Sequence, residues 1–402
     1  MAGREIAFLP YPAYGHMTPE LPVVAELVRR GHRVTCLASD EFTERVRATG
    51  ARVVGYGTEL CTSSPDQLSA DESARAPLRL LEETMATVPA IQRAFAGGPP
   101  DLLVYDTTLW APGRLLARTW GVPTVQLSAT VASNEHFSLT KEGQRFGPAI
   151  DPTHPALARF VTRLRDYLTD HDLGHVTLDE FFTGDDEYTV VFVPRRFQPA
   201  GDTFDDRYCF VGPTTTAPTG PTTWHPPASG HPVLLITLGT TVNDQPDFFR
   251  TCAEAFAGLP WHVVLTLGNR VDPAWLGPLP PNVEAHRWVP HAEVLRHASL
   301  FLCQGGMGSI MEALYFGTPV IAVPHHPEQK INAGRILQLG LGAVIERDAV
   351  SAATVRDTTL ALSADDEVLG RVRVLRNEVR TAGGASRAAD QIEARLLVRG
   401  RS

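Results

Sequence analysis

Three short stretches of this 402-residue chain hold residues suited to proton and phosphate chemistry. In "PYPAYGHMTPE", His16 follows a glycine in the loop that leads from the apolar run "EIAFLPY" into a helical stretch. An imidazole titrates near neutral pH and can take a proton from a hydroxyl. In "DLLVYD", Asp106 ends another apolar run. A carboxylate on the far ring nitrogen would fix the tautomer of His16 and stabilise its imidazolium. Alternatively, His16 is a polar helix-start residue and Asp106 caps the next helix. The third stretch, "FLCQGGMGSIMEAL" at residues 301–314, reads as a strand, a glycine-rich turn and a helix. Gly305, Gly306 and Gly308 let a ligand approach the backbone, and a helix start presents unpaired N–H groups and a partial positive charge. A diphosphate suits such a seat; a tight turn that needs glycine for its dihedrals also explains it. The spacing is neither GxxxxGK[ST] nor GxGxxG. A neutral Gln304 stands at its mouth.

Other residues carry two readings. Ser309 and Glu312 match S-x-x-E, so Glu312 either caps its own helix or reaches a ribose hydroxyl pair. Trp288, at the strand end in "HRWVPHAEVL", offers a flat face to a nucleobase or is half-buried packing. Gly239, Thr240 and Thr241 in "ITLGTT" supply further phosphate donors or form an ordinary turn. His171 and His175 are four apart, but Gly174 weakens a helix there and no third metal ligand accompanies them. His325 and His326 stand at a strand end beside Glu328, and as neighbours they point in different directions.

The elements that must position these residues alternate. "EIAFLPY", the helical "TPELPVVAELVRR" and "HRVTCLAS" make a strand–helix–strand unit, with Leu21, Val24 and Val28 on one helical face, Val23 and Leu27 beside it, and Gly31 as a stop. "DLLVYD", "APGRLLARTWG" and "PTVQLSA" repeat it, and "EYTVVFVP" and "RYCFVGP" complete that half. Continuous apolar strands suit a parallel sheet covered on both faces. Residues 212–232, crowded with Pro, Thr and Gly, read as a flexible linker. After it the alternation restarts with "VLLITLG", "HVVLTLG", "VEAHRW", "LFLCQGG", "PVIAVP" and "GAVIER". The fold class is α/β, with two doubly wound Rossmann-like domains facing a central cleft and ligands outside the strand carboxyl ends. The expected division is 1–212, a linker at 213–232, and 233–402, with the last helix packing back on the first domain. Residues 140–185 are hardest to read and suggest an insertion near the cleft.

Composition narrows the partners. Hydrophobic residues at 43% and charged residues at 20% suit a soluble globular protein, and 402 residues suit two domains. A formal net charge of −9 offers no overall field for nucleic acid or an anionic membrane. The N-terminus shows neither a signal peptide nor a membrane span. Five scattered cysteines without CxxC point to reduced, buried thiols in a cytoplasm.

Taken together, "GHMTPELPVVAELVRRGHRVT", "DLLVYD", "ARTWGVPTVQLS", "ITLGTT", "WVPHAEVL", "GGMGSIMEALYFGTPVIAVP" and "EQKINAGRI" resemble, in order and over nearly the whole chain, the GT-B glycosyltransferases that use nucleotide sugars. The resemblance is to the bacterial macrolide and natural-product branch related to plant UDP-glycosyltransferases. It implies an inverting, metal-independent transfer of a hexose or deoxyhexose from a UDP- or TDP-sugar to a hydroxyl of a hydrophobic, macrolide- or polyphenol-like acceptor, with no further cofactor. By the same resemblance His16 is the base and Asp106 its partner. Trp288 stacks on the nucleobase, with the backbone of Val289 reading its edge. Thr240, Gly306, Met307, Gly308 and Ser309 hold the diphosphate, Glu312 the ribose, and Glu328 and Gln329 the sugar. The acceptor is expected against loops near residues 56–80 and 130–150, in a monomer or homodimer. Three positions depart from the family pattern: Gln304 replaces a usual His, His291 a usual Gln, and Glu328 a usual Asp. Two other readings stay open: a nucleotide-sugar 2-epimerase on the same fold and, because of Gln304, a non-catalytic binding homologue.

Overall fold

In the computed structural model, residues 3–58, 68–183, 188–217, 222–240 and 243–398 are described. Thr241, Cys61, and parts of the expected acceptor loop (59–67) and linker (218–221) lie outside the described residues. The chain divides into two units. The first comprises residues 1–138, 147–214 and 382–402, and the second residues 139–146 and 215–381.

The first unit is built on seven strands: β1 (Glu5–Leu9), β2 (Arg33–Ala38), β3 (Arg52–Gly55), β4 (Leu102–Asp106), β5 (Thr124–Ser128), β6 (Tyr188–Val191) and β7 (Tyr208–Phe210). They lie in the order β3-β2-β1-β4-β5-β6-β7, and every neighbouring pair is parallel. Ile6, Phe8 and Val104 are buried on one face, Ala7, Leu9 and Leu103 on the other. Burial on both faces is why these strands read as unbroken apolar runs. Chain order reverses between β1 and β4, and Asp106 ends β4 at that reversal.

The helix Tyr14–Arg29 covers one face with Met17, Glu20, Val23, Val24 and Leu27. The buried stripe is rotated from the expected one, since Leu21 and Val28 are only half-buried. Each fully buried Val or Leu there contributes about 1.5–3 kcal/mol. The closing helix Gly384–Val398 packs on Tyr14–Arg29, burying Ala388, Ala389 and Ile392. Arg30 joins the two helices through Asp390 at 2.6 Å and Glu393 at 2.7 Å.

The second unit has six strands: β8 (Val233–Thr237), β9 (His262–Thr266), β10 (Val283–His286), β11 (Ala298–Cys303), β12 (Val320–Ala322) and β13 (Gly342–Val344). Their order is β10-β9-β8-β11-β12-β13, again parallel throughout. Its reversal lies between β8 and β11, so the two sheets repeat one plan. The hard-to-read region resolves into helices. Pro155–Asp170 packs on Ala70–Met85 in the first unit, while Leu139–Gln144 packs on Pro327–Leu339 in the second. The segment expected to be a flexible linker has no helix or strand among its described residues, yet it is anchored. Trp224 is buried, its indole N–H donates to Glu284 Oε1 at 2.6 Å, and the Thr223 and Trp224 amides donate to Glu293 Oε2 at 2.8 and 2.9 Å. Pro, Thr and Gly forbid regular structure but not side-chain anchorage.

Candidate active site

At the reversal of the first sheet, β1 runs into a short loop and then the helix Tyr14–Arg29, whose third residue is His16. His16 Nδ1 is 2.7 Å from Asp106 Oδ2. The His16 side chain is 23% exposed and Asp106 not at all, so the ring reaches solvent while its partner is sealed. With Nδ1–H donating to the carboxylate, Nε2 is the basic ring nitrogen. The Tyr11 ring and the imidazole meet edge-to-face, with centroids 5.0 Å apart. Asp106 Oδ1 accepts from the Thr108 amide at 2.6 Å, capping the turn Thr107–Leu109. Capping and imidazole support therefore coexist, one on each oxygen. Burial alone would raise the Asp106 pKa. The His16 ring outweighs it, with help from Glu20 and the Thr108 amide, and holds Asp106 below the ordinary carboxylate value.

Sequence reasoning missed Glu20, one helical turn beyond His16. It is fully buried, and no hydrogen bond of good geometry closes on either oxygen. Burial first, then the neighbouring Asp106 carboxyl, pushes its pKa well above the ordinary value. The available signal was the i, i+4 spacing of His16 and Glu20 on one helix. Beside Tyr11 a shallow depression is lined by Pro12, Tyr56, Glu83, Thr84, Thr87 and Leu109, of which only Tyr56 belongs to the first expected acceptor region.

At the reversal of the second sheet, β11 ends at Cys303 and the helix Met307–Phe316 begins after three intervening residues. Gly306 is its N-cap and no side chain caps it. The first-turn amides of Met307, Gly308 and Ser309 thus point out of the helix start with its positive dipole end. Because the helix starts at Met307, Ser309 is its third residue, which removes the Ser309–Glu312 capping-box alternative. Gly305 holds φ +83°, a left-handed conformation costly for other residues, and Asn332 Nδ2 donates to its carbonyl at 3.0 Å. A Cβ at Gly306 or Gly308 would meet nothing within 4 Å, so packing does not demand glycine at either position.

Gln304 is buried, and its Oε1 accepts from Gln329 Nε2 at 3.3 Å. Gln329 Oε1 in turn accepts from the His325 and His326 amides at 2.8 and 3.1 Å, capping the helix Pro327–Leu339. Contact between Gln329 and a sugar would require these bonds to exchange. Glu328, next to it, is exposed. After β8, Gly239 accepts from the buried Asn243 at 2.9 Å, and Thr240 is exposed at the turn. Gly268 permits that contact, since a Cβ there would lie 1.9 Å from Asn243 Nδ2.

Beyond β10, Trp288 is 62% exposed and lies within 13° of parallel to the His291 ring, with centroids 6.2 Å apart. His291 Nδ1 is 3.8 Å from Glu312 Oε2, and Val289 is buried between Trp288 and Pro290 in the chain. Trp288, His291 and Glu312 thus form one group. The other histidine pair does not form a site: His171 Nδ1 pairs with the Tyr167 carbonyl at 2.9 Å. Among the described residues no group of three or more His, Cys, Asp or Glu side chains is placed to hold a metal ion. Cys36, Cys209, Cys252 and Cys303 are free and buried. No helix among the described residues is long and apolar enough to cross a membrane.

Comparison with known proteins places this geometry in a wider set. The family described as erythromycin biosynthesis protein CIII-like, C-terminal domain, matches residues 252–392. The chain is 36% identical to NDP-glycosyltransferase YjiC of Bacillus licheniformis, over 100% of both chains. It is 37% identical to oleandomycin glycosyltransferase of Streptomyces antibioticus, over 98% of this chain and 91% of the relative. The crystal structure of CalG4, the calicheamicin glycosyltransferase, superposes with a TM-score of 0.90 at 40% identity, covering 100% of this chain and 99% of that one.

Proposed function

Given that the chain belongs to the nucleotide-sugar-dependent glycosyltransferases of the GT-B fold, we propose that it is an inverting enzyme in which His16 is the general base. His16 Nε2 takes the proton of an acceptor hydroxyl as that oxygen attacks the anomeric carbon of a UDP- or TDP-sugar. The bond from that carbon to the diphosphate breaks on the opposite face, so a single displacement inverts the configuration. Asp106 keeps Nδ1 protonated and stabilises the imidazolium as it forms.

The charge on the departing diphosphate meets the amides of Met307, Gly308 and Ser309, with Gly306, Thr240 and the Gln304 amide beside them. Fixed dipoles of this kind support a leaving group without calling on a metal ion. Trp288 stacks on the base with the Val289 backbone at its edge, Glu312 holds the ribose, and Glu328 and Gln329 face the sugar. The acceptor is a hydroxylated, largely apolar natural product. Relatives named for oleandomycin and calicheamicin support that class.

The observation that carries this reading is the 2.7 Å bond between a partly exposed imidazole and a carboxylate sealed from water. Asp106→Asn tests it. The amide leaves the shape intact but no longer enforces the Nδ1–H tautomer. We expect kcat to fall by about 10²–10⁴-fold while the nucleoside diphosphate Kd stays within about twofold. An unchanged kcat overturns the assignment.

A further inference from the structure

Two buried asparagines of the second unit have no role in the reaction as described, yet they do the same thing in two loops. Asn243 follows the turn after β8, and Asn332 lies on the helix Pro327–Leu339. They are 0% and 1% exposed. Asn243 Nδ2 donates to the Gly239 carbonyl at 2.9 Å, and Asn332 Nδ2 to the Gly305 carbonyl at 3.0 Å. Neither Oδ1 meets a donor among the described residues. An unpaired buried acceptor costs at least as much as one hydrogen bond returns, so stability alone does not explain either amide. The two glycines match as well. Gly239 lies two residues past the end of β8 at Thr237, and Gly305 two past the end of β11 at Cys303. Those strands are neighbours in the sheet, and both glycines hold a left-handed φ, +66° and +83°.

In a trans peptide the carbonyl and the following N–H point in opposite directions, and no described peptide is cis. Each asparagine draws a carbonyl inward and so turns the next N–H outward, from Thr240 in one loop and Gly306 in the other. Thr240 is exposed and Gly306 half-buried, and neither N–H finds an acceptor among the described residues. We propose that Asn243 and Asn332 are positioning residues for the diphosphate. Each locks one glycine peptide so that the Thr240 and Gly306 N–H groups face the leaving group, together with the first-turn amides of Met307, Gly308 and Ser309. Without the side-chain donor the glycine carbonyl is left buried and unpaired. It gains by turning out to solvent, where it brings an oxygen against the phosphate oxygens; glycine is the residue that permits such a flip. Gly268 belongs to the same device, since a Cβ there would displace Asn243.

The inference rests on the reading of this glycine turn as the diphosphate seat, and the test separates the two. In the full chain with isotope-labelled glycine and threonine, amide proton shifts are followed by NMR as uridine or thymidine diphosphate is added, with the matching nucleoside as control. Gly306→Ala and Gly308→Ala identify their signals, since a Cβ at either position meets nothing within 4 Å, and Thr240→Ser identifies the third. Gly308 reports the seat; Gly306 and Thr240 report the orientation. All three should move downfield with the diphosphate and stay in place with the nucleoside. A shift at Gly308 while Gly306 or Thr240 stays still overturns the proposal and leaves the seat standing. No shift at any of the three overturns both. Asn243→Leu and Asn332→Leu then remove the donor at similar volume. Nucleoside diphosphate Kd by calorimetry should rise about 10-fold or more in each, with nucleoside affinity retained and the shift lost at Thr240 or Gly306 respectively. A Kd within about twofold of wild type overturns the proposal, as does an equal weakening of the nucleoside, which marks a merely structural role. Should a leucine variant fail to fold, Asn243→Asp or Asn332→Asp, which keeps the shape and loses the donor, takes its place with the same expectations.

Discussion

The reversal between β1 and β4 is occupied by ionisable groups, whereas the matching reversal between β8 and β11 is occupied by amides. His16, Asp106 and Glu20 meet at the first. Gln304, Gln329, Asn332 and the uncapped start of Met307–Phe316 meet at the second. The strand orders are the same, so topology supplies a site in each unit and side chains decide its chemistry. Moving a proton requires a group that titrates and a buried charge that sets where it titrates. Receiving a diphosphate requires donors that are already oriented, and these need no titrating member. Within this contrast Gln304 is consistent with its surroundings: a neutral amide, held by another amide, at a helix start that supplies the field.

The contrast can be broken from either side. The largest effect belongs to Asp106→Asn, already described. In the second unit, Gly306→Asp exploits the open space at its Cβ and an extended backbone suited to an N-cap (φ −63°, ψ 140°). A carboxylate there satisfies first-turn amides and repels phosphate. We expect nucleoside diphosphate affinity to fall at least about 10-fold by calorimetry, while thermal stability holds or rises by up to about 1 kcal/mol. Loss of both would mean that the loop cannot accept the cap. Gln304→His sharpens the comparison by adding a titrating group to the amide side. Affinity should rise by about 2–10-fold below the pKa of the new imidazole and converge on wild type above it. A pH-independent change would show that charge at this position does not reach the phosphate.

The smallest effect is on stability. Glu20 has a folded-state pKa raised by burial and by Asp106, so between the unfolded and the folded value folding takes up a proton. The favourable contribution is complete below the unfolded glutamate value and is lost as pH rises through the folded one. Glu20→Gln removes that requirement. Its Tm should exceed that of wild type by about 1–3 °C at pH 8 and match it near pH 4.5. A gap that widens toward acid contradicts the sign.

Much of this layout is legible in the sequence because apolar runs and the residues ending them obey one rule. Asp106 closes a strand and His16 opens the helix after another, so both fall at the carboxyl edge of the sheet before any coordinate is known. The glycine-rich turn was legible for the same reason. What escaped depends on register and on contacts distant in the chain. Glu20 reads as a solvent-facing helix residue until the buried stripe is seen to run through Met17 and Val24 and not Leu21 and Val28. The Ser309–Glu312 motif suggested a cap, but the helix began two residues earlier. Gln329 matched a sugar-facing position, yet its amide caps the helix and holds Gln304. The anchorage of Trp224 depends on Glu284 and Glu293, 60 and 69 residues away, which composition does not reveal.

The division between a titrating sheet reversal and an amide-lined one is tested most directly by His16→Ala, with sugar transfer and nucleoside diphosphate Kd measured on the same preparation. The expected result is a loss of transfer by about 10³-fold or more with Kd unchanged within about twofold. Transfer at the wild-type rate, or a fall in nucleotide affinity that matches the fall in rate, would contradict it.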